Sequence, residues 1–575
     1  MTVRPLRKRI AQALCAGITA VLMLLSAGCA AIPKDGPVGR SDLLPGRNNP
    51  VNIDFRQNAP VPGASAASIV EGFIAAGTGV ADDFQVARQY LDRSIAKTWK
   101  ADTRTLVYQG GFKAVSDGSG SEFKVDFDVE STVDPNGIRT PAAPGAVETV
   151  KFSLTKVDGE WRISKVPDGI MLQTANFDTL FSAYSLYFYD PTFAFAVPDV
   201  RWLSGKATTT TTSIVRALLN GPAPYLLGAV ASAFPNGMEL VRDSVPVNNG
   251  VAQVDLTAQP LLDASVKSRQ QMQAQLMLTL RNLNTVTSVT LRADTREVDL
   301  GTPDQGVPAP LVNNQVPPHQ VALYKGQLVR YADGASTQIE GLPALAKYAP
   351  SHPAVSYGNN LYAFLNGDHG RLYAVSPGQP ERQVASGVEL TAPSFSPQDW
   401  LWTATGDQRG TVIAVPAGTS KGQPSAGVVL KVQWLQGRTV TSFRVSRDGS
   451  RALVISEQNG VSTVQITGIL RSGDLPKDLT QPITLLNSVN ASEGVWLNET
   501  SVAVMRPSAT GPVEVEILNL KAAASRLAPL KGMLGLSGGN GVLDLYAGTA
   551  EGLFARVGNG WSLEAKGVTD PAFAG

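Results

Sequence analysis

Two cysteines and three histidines are all that 575 residues contain. Zinc sites, thiol nucleophiles and most catalytic triads draw on those two residue types, so their scarcity removes most metal and covalent chemistry from consideration. Net charge is lacking too: 49 Lys and Arg stand against 48 Asp and Glu, which leaves no extended basic surface to neutralise a phosphate backbone. No nucleic acid partner is expected. Long helical periodicities are scarce, whereas 55 glycines and 38 prolines punctuate the chain with turns. What is abundant is apolar material, 43% of the chain, and a length that implies several cores rather than one.

The first 28 residues read as an export signal. Arg4, Arg7, Lys8 and Arg9 form a positive n-region, Ile10 to Leu25 an apolar stretch, and Ser26-Ala27-Gly28 a small-residue run ahead of Cys29. No comparable apolar run follows, so an exported chain with no membrane-spanning helix is expected. The run Leu25-Ser26-Ala27-Gly28-Cys29 resembles a bacterial lipobox, with Ser26 where that pattern usually has Leu and Leu25 one residue earlier. The resemblance implies an S-diacylglycerol group on Cys29, cleavage between Gly28 and Cys29, and an N-palmitoyl group on the new terminus. Two or more acyl chains, at about 0.8 kcal/mol per buried methylene, anchor stably where one is marginal. Cys15 lies inside the apolar stretch and leaves with it. The loss of four basic residues and no acidic one leaves a mildly acidic body. Residues 29–65, rich in Pro, Gly and Asn, suit a flexible tether.

Three folded regions are expected beyond the tether. In 66–176, Ile69, Val70, Phe73 and Ile74 share one helical face, and a second helix is expected from Asp82 to Leu91, capped by Asp82 or Asp83. Strands follow: Phe123 to Val129 alternates apolar and polar, and Thr149 to Val157 turns at Asp158-Gly159 into Trp161-Arg162-Ile163. This order resembles the cone-shaped α+β fold of nuclear transport factor-like domains. Asp126, Asp128 and Glu130 are expected on the solvated face.

In 180–300, strands at Leu186 to Tyr189 and Phe193 to Val200 precede a helix around Ser213 to Leu219 that stops at Asn220-Gly221-Pro222. A strand at Val251 to Leu256, a helix over about 265–283 and a strand at Val286 to Arg292 complete it. Met272, Leu276, Leu280 and Leu283 recur at helical spacing and belong to a core. The series Ala-Leu-Leu-Asn-Gly-Pro, Phe-Pro-Asn-Gly and Val-Ala-Gln-Val-Asp-Leu is similar to the α+β GerM domain, a module viewed as a non-catalytic interaction unit. Nine aromatics fall between Phe177 and Trp202. They are expected to fill the seam between the first two domains, an exposed partner patch being the alternative.

After a Pro-rich linker at 301–318, short apolar runs separated by turns continue through 319–575. Related segments begin at Val355, Phe395 and Phe443, with looser copies near Val495 and Gly541. Spacings of 40 to 50 residues with several strands per unit are the pattern of an all-β propeller, here of five or six blades. Chemistry is hard to find in it. His319, His352 and His369 are expected to be solvated loop residues, Asp448-Gly449 a hairpin turn, and the Gly-rich run 535–541 lacks the strand-loop-helix context of a dinucleotide site. No catalytic residue, metal site or cofactor is expected, and the protein is not expected to be an enzyme; a hydrolase would need carboxylates clustered at the channel mouth.

Lipobox, cone-like domain, GerM-type domain and propeller in that order resemble the LpqB family of actinobacterial lipoproteins. The resemblance implies a lipid-anchored protein on the extracytoplasmic face of the cell membrane. It also implies a role as accessory to the sensor histidine kinase MtrB of the MtrAB two-component system, in envelope homeostasis and division. A sensor that binds cell-wall glycan or peptide through its propeller is the alternative.

Overall fold

The computed structural model describes residues 57–575 apart from 81–82, 119, 206, 302–307, 418–426, 489 and 509–510. Gly28, Cys29, Asp82, the signal segment and most of the tether lie outside the described residues. No helix among the described residues is long and apolar enough to cross a membrane.

The first domain is a sheet wrapped by short helices. Its strands run in the order Glu160–Lys165, Val147–Val157, Glu122–Val133, Thr105–Gln109, Ile170–Gln173, the last pair parallel, with two short strands added along Glu122–Val133. Alternation in the long strand sends Phe123, Val125 and Phe127 inward and Lys124, Asp126 and Asp128 to solvent. Ser65 caps the helix Ala66–Ala76 by accepting from the Ser68 N–H at 3.2 Å. That helix lays Ile69, Val70, Phe73 and Ile74 on the sheet. Each such side chain, once buried, contributes about 1.5–3 kcal/mol. The second expected helix is shorter than its pattern, Gln85–Gln89, because Asp83 and Phe84 both take left-handed backbone; Asp83 therefore caps nothing.

The second domain holds the hairpin Phe181–Tyr189 with Ala196–Ser204, the helix Ala207–Leu219, and a four-stranded sheet. In that sheet Val251–Leu256 and Ser288–Ala293 pair in parallel, and the crossover helix Val266–Leu280 covers them with Met272, Leu276 and Leu280.

The C-terminal region is six sheets arranged in a ring. Blade 1 spans Gln320–Gln338, blade 2 Ser351–Ser386, blade 3 Ser394–Gln436, blade 4 Thr439–Ser488, blade 5 Gly494–Leu530 and blade 6 Met533–Lys566. Innermost strands pack on one another from each blade to the next. Blade 1 takes its innermost strand from Val568–Ala572, which pairs antiparallel with Gln320–Tyr324 and so closes the circle.

Candidate functional site

The polar chemistry of the folded body is concentrated where the hairpin of the second domain meets the propeller. The expected seam aromatics do fill seams, but more of them than one. Phe177 and Phe181 stack at 4.8 Å in the core of the first domain, with Trp202 beside them. Tyr184 and Phe188 enter the core of the second domain. On the other face of the strand, Tyr187 donates to Glu499 Oε1 of blade 5 at 2.5 Å, and the Trp202 indole donates to the Leu520 carbonyl at 3.1 Å. None of the nine is exposed. The propeller, which the expected seam between the first two domains did not include, is thus a third party to it.

A plug holds the two together. Past the helix end at Gly221-Pro222, residues Ala223, Tyr225 and Leu226 sink fully into an apolar groove between blades 4 and 5, against Leu453, Ile455, Val464 and Val502. The Thr480 hydroxyl donates to the Tyr225 carbonyl at 2.5 Å. Gly468 lies so near that a Cβ there would stand 2.6 Å from the same carbonyl, which explains why this strand position carries no side chain. Asp199 steers the plug: its carboxylate accepts from the Ala223 N–H at 2.8 Å and pairs bidentately with Arg201 at 2.6 and 2.9 Å. Arg201 also donates to the Asn136 carbonyl of the first domain at 2.7 Å. Burial works against the Arg201 charge, and the Asp199 carboxylate more than compensates, so its pKa stands above the ordinary guanidinium value.

From the propeller side the turn between the first two strands of blade 4, Ser446-Arg447-Asp448-Gly449-Ser450-Arg451, answers this arrangement. The expected hairpin turn is present, yet Asp448 also receives the Arg451 guanidinium at 2.6 Å. Arg451 reaches on to the carbonyls of Glu499 at 2.9 Å and Pro198 at 3.5 Å, and lies over the Trp496 ring. The Pro-rich linker is fastened rather than loose at its described end. Leu311 pairs with the hairpin at Ala194 and Ala196, and Val316 exchanges hydrogen bonds with the Asn540 side chain of blade 6 at 2.8 and 2.7 Å.

Inside the ring lies a cavity of about 50 Å³ bordered by Tyr357, Ser394, Arg444, Arg447, Ser537 and Gly575. Arg444 pairs there with Glu493 at 3.1 Å, and burial pushes the Glu493 carboxyl up against that pull. The histidines depart from expectation, since none is exposed. His352 and His369 meet edge to face at 4.8 Å between centroids, and Asp570 accepts from the His352 backbone N–H at 3.4 Å. Burial first, and in His352 the nearby Arg444, hold both rings below the usual imidazole pKa. No group of three or more His, Cys, Asp or Glu side chains among the described residues is placed to hold a metal. In the first domain Asp126 and Asp128 are solvated as expected, whereas Glu130 pairs with Arg139 at 2.8 Å and accepts from Thr174 at 2.6 Å. The sequence signal for the seam was available in one place only, the aromatic density of 177–202; the paired charges 199/201 and 448/451 look like ordinary turn and strand residues until the domains are assembled.

Comparison with known proteins places this architecture. Residues 59–178 match the description "Lipoprotein LpqB, N-terminal domain", residues 185–299 "Sporulation and spore germination", and residues 326–574 "Lipoprotein LpqB beta-propeller domain". Among relatives, "Lipoprotein LpqB" of Thermobifida fusca is 26% identical, covering 87% of this chain and 88% of that one. "Lipoprotein LpqB" of Bifidobacterium longum is 24% identical over 89% and 91% respectively. Among solved structures, TolB from Acinetobacter baumannii is 15% identical with a TM-score of 0.33, over 44% of this chain and 66% of that one.

Proposed function

The chain belongs to the LpqB lipoprotein family, and from that premise we propose that it is an accessory subunit of a two-component sensor kinase, held by lipid on the extracytoplasmic face of the cell membrane. Cys29 carries the anchor, after cleavage following Gly28. The kinase is MtrB of the MtrAB system, and the output is envelope homeostasis and division. The observation that supports this reading best is the interlocked seam. Plug, hairpin and blade turns join three domains into one body, with the buried charges of Asp199, Arg201, Asp448 and Arg451 committed to the seam. A lipid anchor confines such a body to the membrane plane shared with a kinase, and that confinement raises effective concentration so that a weak contact suffices.

Crosslinking in membranes followed by detergent extraction tests the reading. Recovery of the kinase with the wild-type chain, and its loss with Cys29→Ala, is expected; failure to recover it with the wild-type chain removes the proposal. The Cys29→Ala chain is expected in the medium or as an uncut precursor, and full membrane retention of a processed form contradicts the anchor.

A further inference from the structure

Arg447 is a buried charge with no carboxylate of its own. It is 6% exposed. Its guanidinium donates to the carbonyls of Gly539 at 2.6 Å, Gly538 at 3.2 Å and Trp496 at 3.3 Å, and to Asn540 Oδ1 at 3.1 Å. All four acceptors are neutral. The other two arginines nearby have their partners, Arg444 in Glu493 and Arg451 in Asp448. Among the described residues Arg447 forms no ion pair, and the nearest acidic influences on it, from Asp544 and the Tyr357 phenol, do not offset the desolvation that lowers its pKa. A buried cation of this kind is unfavourable unless something of opposite charge reaches it.

The same cavity offers a second donor. The Tyr357 hydroxyl is buried and has no hydrogen-bond partner, and the Arg444 Nε–H is likewise buried and unpartnered. Both residues border the 50 Å³ space together with Arg447 and the Ser394 and Ser537 positions. One water needs roughly 10–15 Å³ of such volume, so the space takes a group the size of a few waters and no sugar ring. The unpaired Arg447 guanidinium, an idle phenol, an idle guanidinium N–H and a small volume describe one kind of guest.

We propose that the propeller channel is a binding site for one small oxyanion, a carboxylate or phosphate group, held by Arg447, Arg444 and the Tyr357 hydroxyl. A carboxylate would come from a small organic acid or the end of a peptide; a phosphate would come from inorganic phosphate or a phosphate ester. This site is independent of the kinase reading, and either stands if the other falls.

Calorimetric titration of the purified full chain with sodium acetate and, separately, inorganic phosphate, at constant ionic strength with chloride as the balancing ion, tests it. One saturable site per chain is expected, and the stronger of the two probes identifies the source. Tyr357→Phe removes one donor and no volume, and is expected to weaken binding about five- to tenfold, the size of one hydrogen bond. Arg447→Met is expected to abolish it. Should Arg447→Met fail to fold, Tyr357→Phe alone decides. Absence of saturable binding by either anion to the wild-type chain overturns the proposal, and so does binding that Tyr357→Phe leaves unchanged.

Discussion

Arg447 and Arg451 sit four residues apart on one turn of blade 4, both buried, and they live in opposite electrostatic worlds. Arg451 faces the seam and is matched: Asp448 lies at 2.6 Å and the Glu499 carbonyl at 2.9 Å. Arg447 faces the channel and is met only by neutral oxygens. The difference separates two uses of a buried cation. The Asp448–Arg451 pair lies within one turn, so the Arg451 charge stays matched in the seam while its remaining donors reach the Pro198 and Glu499 carbonyls. An unpaired cation raises the free energy of the folded state and lowers it again when a ligand of opposite sign arrives.

The comparison breaks most visibly at Arg451. Arg451→Met leaves the buried Asp448 carboxylate without a counter-charge, held only by the Ser446 hydroxyl and the Ser450 N–H, and is expected to destabilise the folded body by about 3–5 kcal/mol, read as a large drop in the thermal unfolding midpoint. Arg447→Met removes a charge that has no partner, at the expense of hydrogen bonds to carbonyls, so its effect is expected to stay below about 2 kcal/mol in the same measurement. If the two variants lose equal stability, the distinction between the turn's two arginines is wrong. Gly468→Ala drives a methyl toward the Tyr225 carbonyl 2.6 Å away and is expected to weaken the plug by about 1–3 kcal/mol, with increased proteolysis between the second domain and the propeller.

The smallest expected effect is on pH response. Folded-state pKa values for His352 and His369 lie below those of the unfolded chain, so the unfolded state binds more protons as pH falls through about 6.5. Stability contributed by these rings is present at neutral pH and is lost progressively on acidification, levelling off below their folded pKa. Besides burial, the groups that set the balance are Asp570 and Arg444 around His352, and His352 itself, Asp570, Asp368 and Glu389 around His369. His352→Asn suits the left-handed backbone at that position, and is expected to flatten the fall in unfolding midpoint between pH 7 and 5. An unchanged slope assigns the acid sensitivity elsewhere.

Much of the fold was legible because local pattern and tertiary role coincide. The strict alternation of Phe123 to Val129 survives as a strand with one buried face, and the Met272, Leu276, Leu280 spacing survives as a core helix. The repeat segments at Val355, Phe395, Phe443 and Val495 fall on innermost strands and their turns. Blade 1 escaped the repeat pattern because its innermost strand lies about 245 residues away from the rest of it, at Val568–Ala572. The helix Ala207–Leu219 begins earlier than its pattern because the threonine run 208–212 has β propensity that packing overrides. The candidate site was the least legible part. A charge becomes functional only through what it faces, and the contacts of Arg451 with the Glu499 and Pro198 carbonyls, of Arg201 with the Asn136 carbonyl and of Tyr187 with Glu499 are made with segments far along the chain.

The strand Val568–Ala572 also sets an order of events. Loop closure between Gln320–Tyr324 and that strand spans nearly the whole C-terminal region, so the ring gains its last interface only when residues near 570 have been delivered. Until then blade 1 presents an unpaired inner edge and the groove between blades is open to its neighbours. Ring closure is therefore the last step in building the propeller, and the channel, with Arg447 lining it, is complete only then.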